Sequence, residues 1–519
     1  MKEETLLLLS DYYRNFINQV VLIDYTIIIL GGAKLLTVEE IKQFIADDSG
    51  SKKKKQARKG KEYYEGEHDI KGHRLFYFNA DGKAVEDTTR SNVKISHPFF
   101  NELVDQATQY ILSGEEGIIK SDIPELQTEL DAYFNENEDF TSELSEVITD
   151  CQVKGFAFMH SFKNEENRTT FQCADSLGVV EVEARFASDR KEHVIYHYLD
   201  RIDKNGKKVT RILDFDDENV AFYMQIGDGR IEKDANEPIN PMPHNLYKKK
   251  NTGEVFHKPS QAANLPFYRL DNNKKQQSCL KPIKALIDDY DLMACGLTNN
   301  IQDAAEYLVV VSGFQGENLE EMMQNTRTKK HIGVDENGGV EFKTVNIPYE
   351  ARKAKLELDE KSIYRFGMGL NTAGLKDTAA TTNIAIKAAY SLLDLKCSKL
   401  EIRLKQFLRK LIKVVLQEIN ETNKTDYQMK DVYFTFDHEV MSNVHENAQI
   451  ELVEAQRRQV EIETLLSLGA RLENELLMQL VVEQLDLDWE EIKGKVLDPE
   501  EAGKQLSQAQ SILDNMAAE

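Results

Sequence analysis

Cysteine is sparse in this chain and is never paired in sequence. Cys151, Cys173, Cys279, Cys295 and Cys397 lie far apart with no C-x-x-C spacing, so neither a zinc ribbon nor a redox dithiol is indicated, and free thiols in a reducing compartment are the simple reading. A long apolar run is also missing. The most hydrophobic stretch, Val20 to Leu30, contains Asp24 and is too short to span a bilayer. The start, MKEETLLLLSDYY, has acids where a signal peptide needs positive charge and offers no cleavage site of small residues. The sequence thus predicts a protein made and used in the cytoplasm. Basic charge is in deficit as well: 65 Lys and Arg stand against 89 Asp and Glu, a net −24. That argues against wrapping nucleic acid, which rests on cations neutralising phosphates. Two readings stay open: no contact with nucleic acid, or contact in which sticking would be a fault.

What is present suffices for about three domains and a sizeable core without a disulfide or metal staple. The chain to about Glu136 reads as helical. Thr37 followed by Glu40 forms a capping box for a helix running to about Ala46. The run from Ser51 to Gly66, SKKKKQARKGKEYYEG, reads as a solvated helix face or as a nucleic-acid-binding basic patch. Phe100, Leu103, Val104, Ala107, Tyr110 and Ile111 form one helical stripe, closed by Gly114. From Val153 to about Phe256 the period becomes two. Segments 153–162, 178–186, 192–199, 208–215 and 219–225 predict an antiparallel meander on helices, with turns at Asn205-Gly206, Gly227-Asp228-Gly229 and Thr252-Gly253.

Pro282 suits a first helical position, and Ile283, Leu286, Tyr290, Met293, Leu297 and Ile301 follow at helical steps. Asp288, Asp289 and Asp291 are placed on the outward side of that stripe. Tyr307 to Pro348 reads as a small inserted α/β piece: a strand over 308–311, a helix over 317–327 and two strands around the Asn337-Gly338-Gly339 turn. A helix returns from Tyr349 to about Phe366. Then comes a polar run between Tyr364 and Asn383 with no core-forming period. It is followed by a long helix to about Asn420, whose seam is Ile386, Tyr390, Leu393, Cys397, Leu400, Leu404, Phe407, Leu411 and Val414. Its length should be on the order of 50 Å. A strand is expected over 431–436, and from Asn447 the chain is acidic and helical, broken at Gly469 and frayed from Glu500.

Motifs for chemistry are incomplete. Gly369-Leu-Asn-Thr-Ala-Gly374-Leu-Lys376 imitates a phosphate loop, but Leu375 intervenes before the lysine and Asp377 stands where Ser or Thr is needed. His438-Glu439 lacks a second histidine at zinc-site spacing. His193 and His197 lie in a strand-like run where solvated or packed roles suffice. No catalytic residue, metal ligand or cofactor site is assigned.

Several stretches carry a family resemblance: Tyr63 to Ile70 (YYEGEHDI), Asn92-Val93-Lys94-Ile95, His97-Pro98-Phe99-Phe100, Val104-Asp105-Gln106, Tyr110 to Gly114 (YILSG), and Leu286 to Asp291 (LIDDYD), together with the order of elements after them. From about residue 37 to about 490 the chain resembles the portal proteins of tailed bacteriophages, in particular those of long-tailed phages infecting Gram-positive hosts. The resemblance implies an α+β portal fold. Residues 1–36 would be an N-terminal segment, 37–281 the wing, 282–306 and 349–366 the stem helices, and 307–348 the clip. Residues 367–383 would be the tunnel loop, 384–446 the long wing helix and return strand, 447–497 the crown and 498–519 a flexible tail. It also implies a ring of about twelve copies in the virion, set at one capsid vertex after assembly in the host cytoplasm, through which double-stranded DNA is packaged and ejected. Expected partners are the terminase large subunit, the head-completion adaptor that connects head to tail, and the major capsid and scaffolding proteins, with no membrane.

Within that frame the channel loop carries Gly367, Gly369, Asn371, Thr372, Gly374, Leu375, Lys376 and Asp377, where only Lys376 is basic and the glycines would let the backbone shift. Glu317, Glu320, Glu321, Lys329 and Lys330 are the expected docking surface of the clip. The three aspartates of the stem would be solvated or salt-bridged between subunits. The alternatives are a nucleotide- or metal-dependent enzyme acting on nucleic acid and a capsid scaffolding protein, the latter suggested by the heptad-like seam.

Overall fold

Helix α1 (Val38–Gly50) starts where its capping box predicts: the Glu40 amide donates to Thr37 Oγ1 at 3.3 Å and the Thr37 amide to Glu40 Oε2 at 2.9 Å. The computed structural model describes residues 36–114, 117–164, 166–184, 187–237, 239–244, 246–248, 255–257, 265–304, 308–314, 320, 334–343, 348–371, 383–438, 456–465, 467 and 474–484. They divide into two units, one of residues 1–374 and 389–439, the other of 375–388 and 440–519. In the second unit, residues 456–465 and Asn474–Gln484 are helical. No described helix is long and apolar enough to cross a membrane.

Ser51 ends α1 and caps α2 (Lys52–Tyr64), accepting from the Lys54 amide. The basic run of α2 is not the solvated face expected. Lys52 and Lys55 are exposed, but Lys54 is 1% exposed, its ammonium donating to the carbonyls of Ser176, Leu177 and Val179 at 2.6, 3.2 and 2.7 Å and pairing with Asp48 at 3.0 Å. Lys53 lies over the Phe156 ring, and burial pushes its ammonium down to about 8 although Glu181 pulls the other way. A lysine with three carbonyls and a carboxylate around it is satisfied inside, which a one-dimensional charge run cannot reveal. Gly60 lets α2 approach the next long helix closely, since a Cβ there would stand 2.0 Å from the Val153 carbonyl oxygen.

The six residues of the predicted stripe on α3 (Phe99–Ile111) are all buried. Helices α4 (Pro124–Leu130) and α5 (Glu138–Lys154) follow, with a two-residue strand β3 (Ile119–Lys120) before them and a small outlying hairpin, β1 (Phe76–Phe78) and β2 (Ala84–Glu86), earlier in the chain. Val153 and Lys154 close α5 instead of opening a strand. Gly155, left-handed at φ 91°, ends the helix, and β4 (Phe156–Lys163) begins directly after it. Strand β4 pairs with β5 (Thr169–Ala174) on one side and, across more than a hundred residues, with a strand at Phe267–Asp271 on the other. Four of the five predicted segments form the meander: β6 (Val179–Ala184), β7 (Ala187–Ile202), β8 (Lys208–Phe215) and β9 (Asn219–Ile226) lie side by side in chain order, extended by β10 (Ile231–Lys233), whereas the segment 153–162 belongs to the separate sheet of β4. Gly206 and Gly227 take positive φ at two of its turns. The Thr252-Gly253 turn lies outside the described residues. Helix α1 covers one face of the meander through Ile41, against Val180, Ile195, Ile212 and Tyr223.

Helix α6 (Lys284–Ala304) starts two residues after Pro282, which sits in the preceding turn. The inserted piece shows one hairpin, of Leu308–Phe314 with Val334–Lys343. Asn337 to Gly339 lie within the second strand and not at a turn. The register shifts between Ser312 and Phe314, where Gly313 takes φ 66° against Gly338. The expected 317–327 helix lies outside the described residues except for Glu320. Helix α7 (Tyr349–Gly367) returns, and α8 (Asn383–Asn423) runs 41 residues, about 60 Å. Its seam is buried from Leu393 to Leu411, but Val414 is half-buried and Val415 takes its place. A straight helix drifts against a seven-residue repeat, so the buried stripe walks round the helix. The return strand is only Tyr433–Phe434, paired with β3.

Lys54→Met should lower unfolding stability by about 3 kcal/mol, because it strands Asp48 and three buried carbonyls. Chemical denaturation of the variant checks this, and an unchanged midpoint would show that the site repacks freely.

Candidate functional site

The end of α7 leads into the polar run, and its geometry is set by α3. Met368 takes the left-handed turn at φ 56°, and the Gly369 amide donates back to the Tyr364 carbonyl at 3.0 Å. Gly367 and Gly369 are required for a different reason than backbone freedom. A Cβ at Gly367 would stand 2.6 Å from Leu103 Cδ1, and one at Gly369 2.1 Å from Leu103 Cδ2. Leu103 itself is buried. One position further on, the Leu370 amide donates to Gln106 Oε1 and the Gln106 amide group donates to the Leu370 carbonyl, each at 3.0 Å. The Tyr364 hydroxyl donates to Glu102 at 2.7 Å. Burial and that carboxylate raise the Tyr364 pKa, which keeps the hydroxyl a donor. Glu102, Leu103 and Gln106 thus hold residues 364–371 from one face of α3.

Of the predicted loop residues, Gly367, Gly369 and Asn371 belong to this root. Thr372, Gly374, Leu375, Lys376 and Asp377 lie outside the described residues. Of the predicted docking residues, Glu320 is exposed, and Glu317, Glu321, Lys329 and Lys330 lie outside the described residues.

The second arrangement was not legible in sequence. Asp291 is fully buried on α6, with its two oxygens 2.6 Å from His68 Nδ1 and 2.7 Å from His97 Nδ1, and it also accepts from the His97 amide at 3.0 Å. The expectation that Asp291 lies outward is therefore corrected, while Asp288 and Asp289 remain half-exposed. From Ile283, just before the helix, the buried stripe continues through Ile287, Asp291 and Cys295, and so departs from the stripe of Leu286, Tyr290, Met293 and Leu297 read from apolar residues alone. Asp288 accepts from the Tyr63 hydroxyl and pairs with Lys284 at 2.7 Å, and Asp289 pairs with Lys355 of α7. All three find partners in their own chain. Residues 91–97 run extended beside α6: the amides of Ser91, Val93, Ile95 and His97 donate to Asp303, Asn299, Cys295 and Asp291. Two residues of strand rise about 6.6 Å and four of helix about 6 Å, so alternate amides meet every fourth helical side chain. The signal available in sequence was the four-residue spacing of Asp291, Cys295, Asn299 and Asp303.

The histidines weighed for metal chemistry are taken up by packing. His438 stacks on Tyr110 and lies 2.9 Å from Glu401, and His193 lies 2.9 Å from the buried Asp214. Burial pushes the His197 pKa down.

Burial opposes the charge on Asp291, but hydrogen bonds from His68 and His97 outweigh it and hold the carboxyl below its ordinary range. A carboxyl lowered on folding contributes stability above its unfolded pKa and loses it as pH falls through the folded one. Asp291→Asn should therefore cost about 3 kcal/mol at neutral pH, and its deficit against the parent chain should shrink below about pH 4, as read by urea unfolding from pH 7 to 3. At the loop root, Gly369→Ala should cost about 1–3 kcal/mol through overpacking, and much less in a Leu103→Ala background, where the methyl has room. A double-mutant cycle with additive costs would deny the contact.

The family model described as "Phage portal protein, SPP1 Gp6-like" matches residues 44–494. The chain is 27% identical over 400 residues to the portal protein of Bacillus phage SPP1, covering 75% of this chain and 76% of that one. It is 26% identical over 438 residues to the portal protein of Clostridium phage phiCD119, covering 80% and 89%. A match over nearly the whole chain shows the family: this chain belongs to the SPP1 Gp6-like phage portal proteins.

Proposed function

We propose that the chain is the subunit of a ring at one capsid vertex of a phage virion, through which double-stranded DNA is packaged and later ejected. The observation that carries this reading is the family match across residues 44–494. On this reading the protein is structural and not catalytic. Residues 37–281 form the wing, α6 and α7 the stem, 307–348 the clip, 367–383 the tunnel loop and 447–497 the crown.

Charge supports the assignment. Each phosphate neutralised by a fixed cation adds affinity, so a channel through which DNA must slide is best short of fixed cations. The net charge of −24 and a loop whose single cation, Lys376, stands beside Asp377 meet that need. The rooted segment 364–371 supplies the second requirement, a fixed base from which residues beyond Asn371 work on passing DNA. The clip, with Glu317, Glu320, Glu321, Lys329 and Lys330, is where the terminase large subunit docks during packaging and the head-completion adaptor afterwards. The wing and crown meet the major capsid and scaffolding proteins.

Negative-stain electron microscopy of the purified chain should show annuli of about twelve copies with a central hole, and compact monomers or dimers under assembly conditions would count against the reading. Deleting Thr372 to Asp377, which spares the root on α3, should leave the annuli intact and lower the DNA packaged per capsid. Normal packaging by such rings would remove this loop from the channel.

A further inference from the structure

Helix α8 carries two stripes. One, from Leu393 to Leu411, is buried in its own chain. Beside it Leu392, Leu395, Lys399 and Ile402 recur at steps of three, four and three, and the same phase continues through Gln406, Arg409 and Lys413. All of these are exposed, Ile402 at 63%. An exposed stripe at coiled-coil spacing is a surface shaped for another helix. Its charge runs against that of the whole chain: from Leu392 to Lys413 there are seven basic residues and two acidic ones. The two acids are already engaged, Asp394 with Tyr110 and Glu401 with His438. Among the described residues, Lys399, Lys410 and Lys413 form no ion pair with their own chain.

The complementary surface lies on the same chain. Residues 121–153, which hold α4 and α5, contain ten acidic residues and no Lys or Arg. Glu125, Glu136, Glu138, Asp139 and Glu146 are exposed, and among the described residues none forms an ion pair. Tyr433, exposed beside Asp122, adds an apolar element to that face. We propose that the outward stripe of α8 docks on the α4–α5 face of a second copy of this chain, a proposal that rests on the ring reading above. A ring closes through heterologous contacts, in which each copy offers two different and complementary patches. A basic, leucine-bearing helix and an acidic helical pair are two such patches, and opposite potentials also set the direction of assembly. Nucleic acid would satisfy the lysines but leave Leu392, Leu395 and Ile402 uncovered.

The test uses three full-length variants. One carries Lys399→Glu, Lys410→Glu and Lys413→Glu; the second carries Glu136→Lys, Asp139→Lys and Glu146→Lys; the third carries all six. Each of the first two should lose annuli and sediment as single chains, while its far-ultraviolet circular dichroism stays that of the parent. Mixing them in equal amounts should restore annuli, because each then meets a neighbour of opposite charge, and the six-fold variant should form annuli alone. Annuli from either triple variant by itself would overturn the proposal, as would a folded six-fold variant that stays single. Normal annuli from the lysine variant with reduced DNA retention would assign the face to nucleic acid instead. Should the parent chain give no annuli, the ring reading falls first. The proposal would then be decided by sedimentation of the two triple variants together, with failure to associate overturning it.

Discussion

One carboxylate joins helix α6 to the residues packed around it. Asp291 gathers His68, the His97 ring and the His97 amide at a point with no access to water. A buried charge of this kind is stable only when its lone pairs are filled, so the segments carrying the two histidines are obliged to stay where they are. The core around it follows: Tyr63, Phe100, Leu103, Ile283, Ile287, Ile363 and Tyr364 form one cluster. That cluster includes Leu103, the side chain that shapes the root of the polar loop. The geometry of 364–371 therefore depends on the same packing that encloses Asp291.

Much of the local structure was legible because it follows from period and capping. The Thr37 box, the α3 stripe, four of the five meander segments with the Asn205-Gly206 turn, and most of the α8 seam are statements about neighbours in sequence, and they stand. What was not legible depends on partners far along the chain. Asp291 looks like a surface acid until His68, 223 residues away, supplies its bond. Lys54 looks solvated until the carbonyls of 176–179 close over it. Strand β4 finds one of its two neighbours only after the whole meander has intervened. Helix α5 buries a stripe of Phe140, Leu144, Val147, Ile148 and Cys151, but the acids between them dilute the pattern in sequence.

The glycines at the start of the polar run show the same dependence on distant partners. Read in sequence, Gly367 and Gly369 suggest freedom. In the fold neither takes a positive φ, Met368 does, and both glycines are places where a methyl group would collide with Leu103. Glycine can serve motion or contact, and only the neighbour across space decides which.

The extended segment beside α6 acts as a length gauge. Its donors sit two residues apart and their acceptors four residues apart, so every bond forms at one setting and all are lost together at settings in between. A shift of helix α6 by less than the spacing of about 6 Å between acceptors would break all of these bonds at once, so a gradual slip along residues 91–97 is opposed by the whole set together. Any force borne by the helix must be resisted up to the threshold of such a shift, or turned into rotation and bending elsewhere.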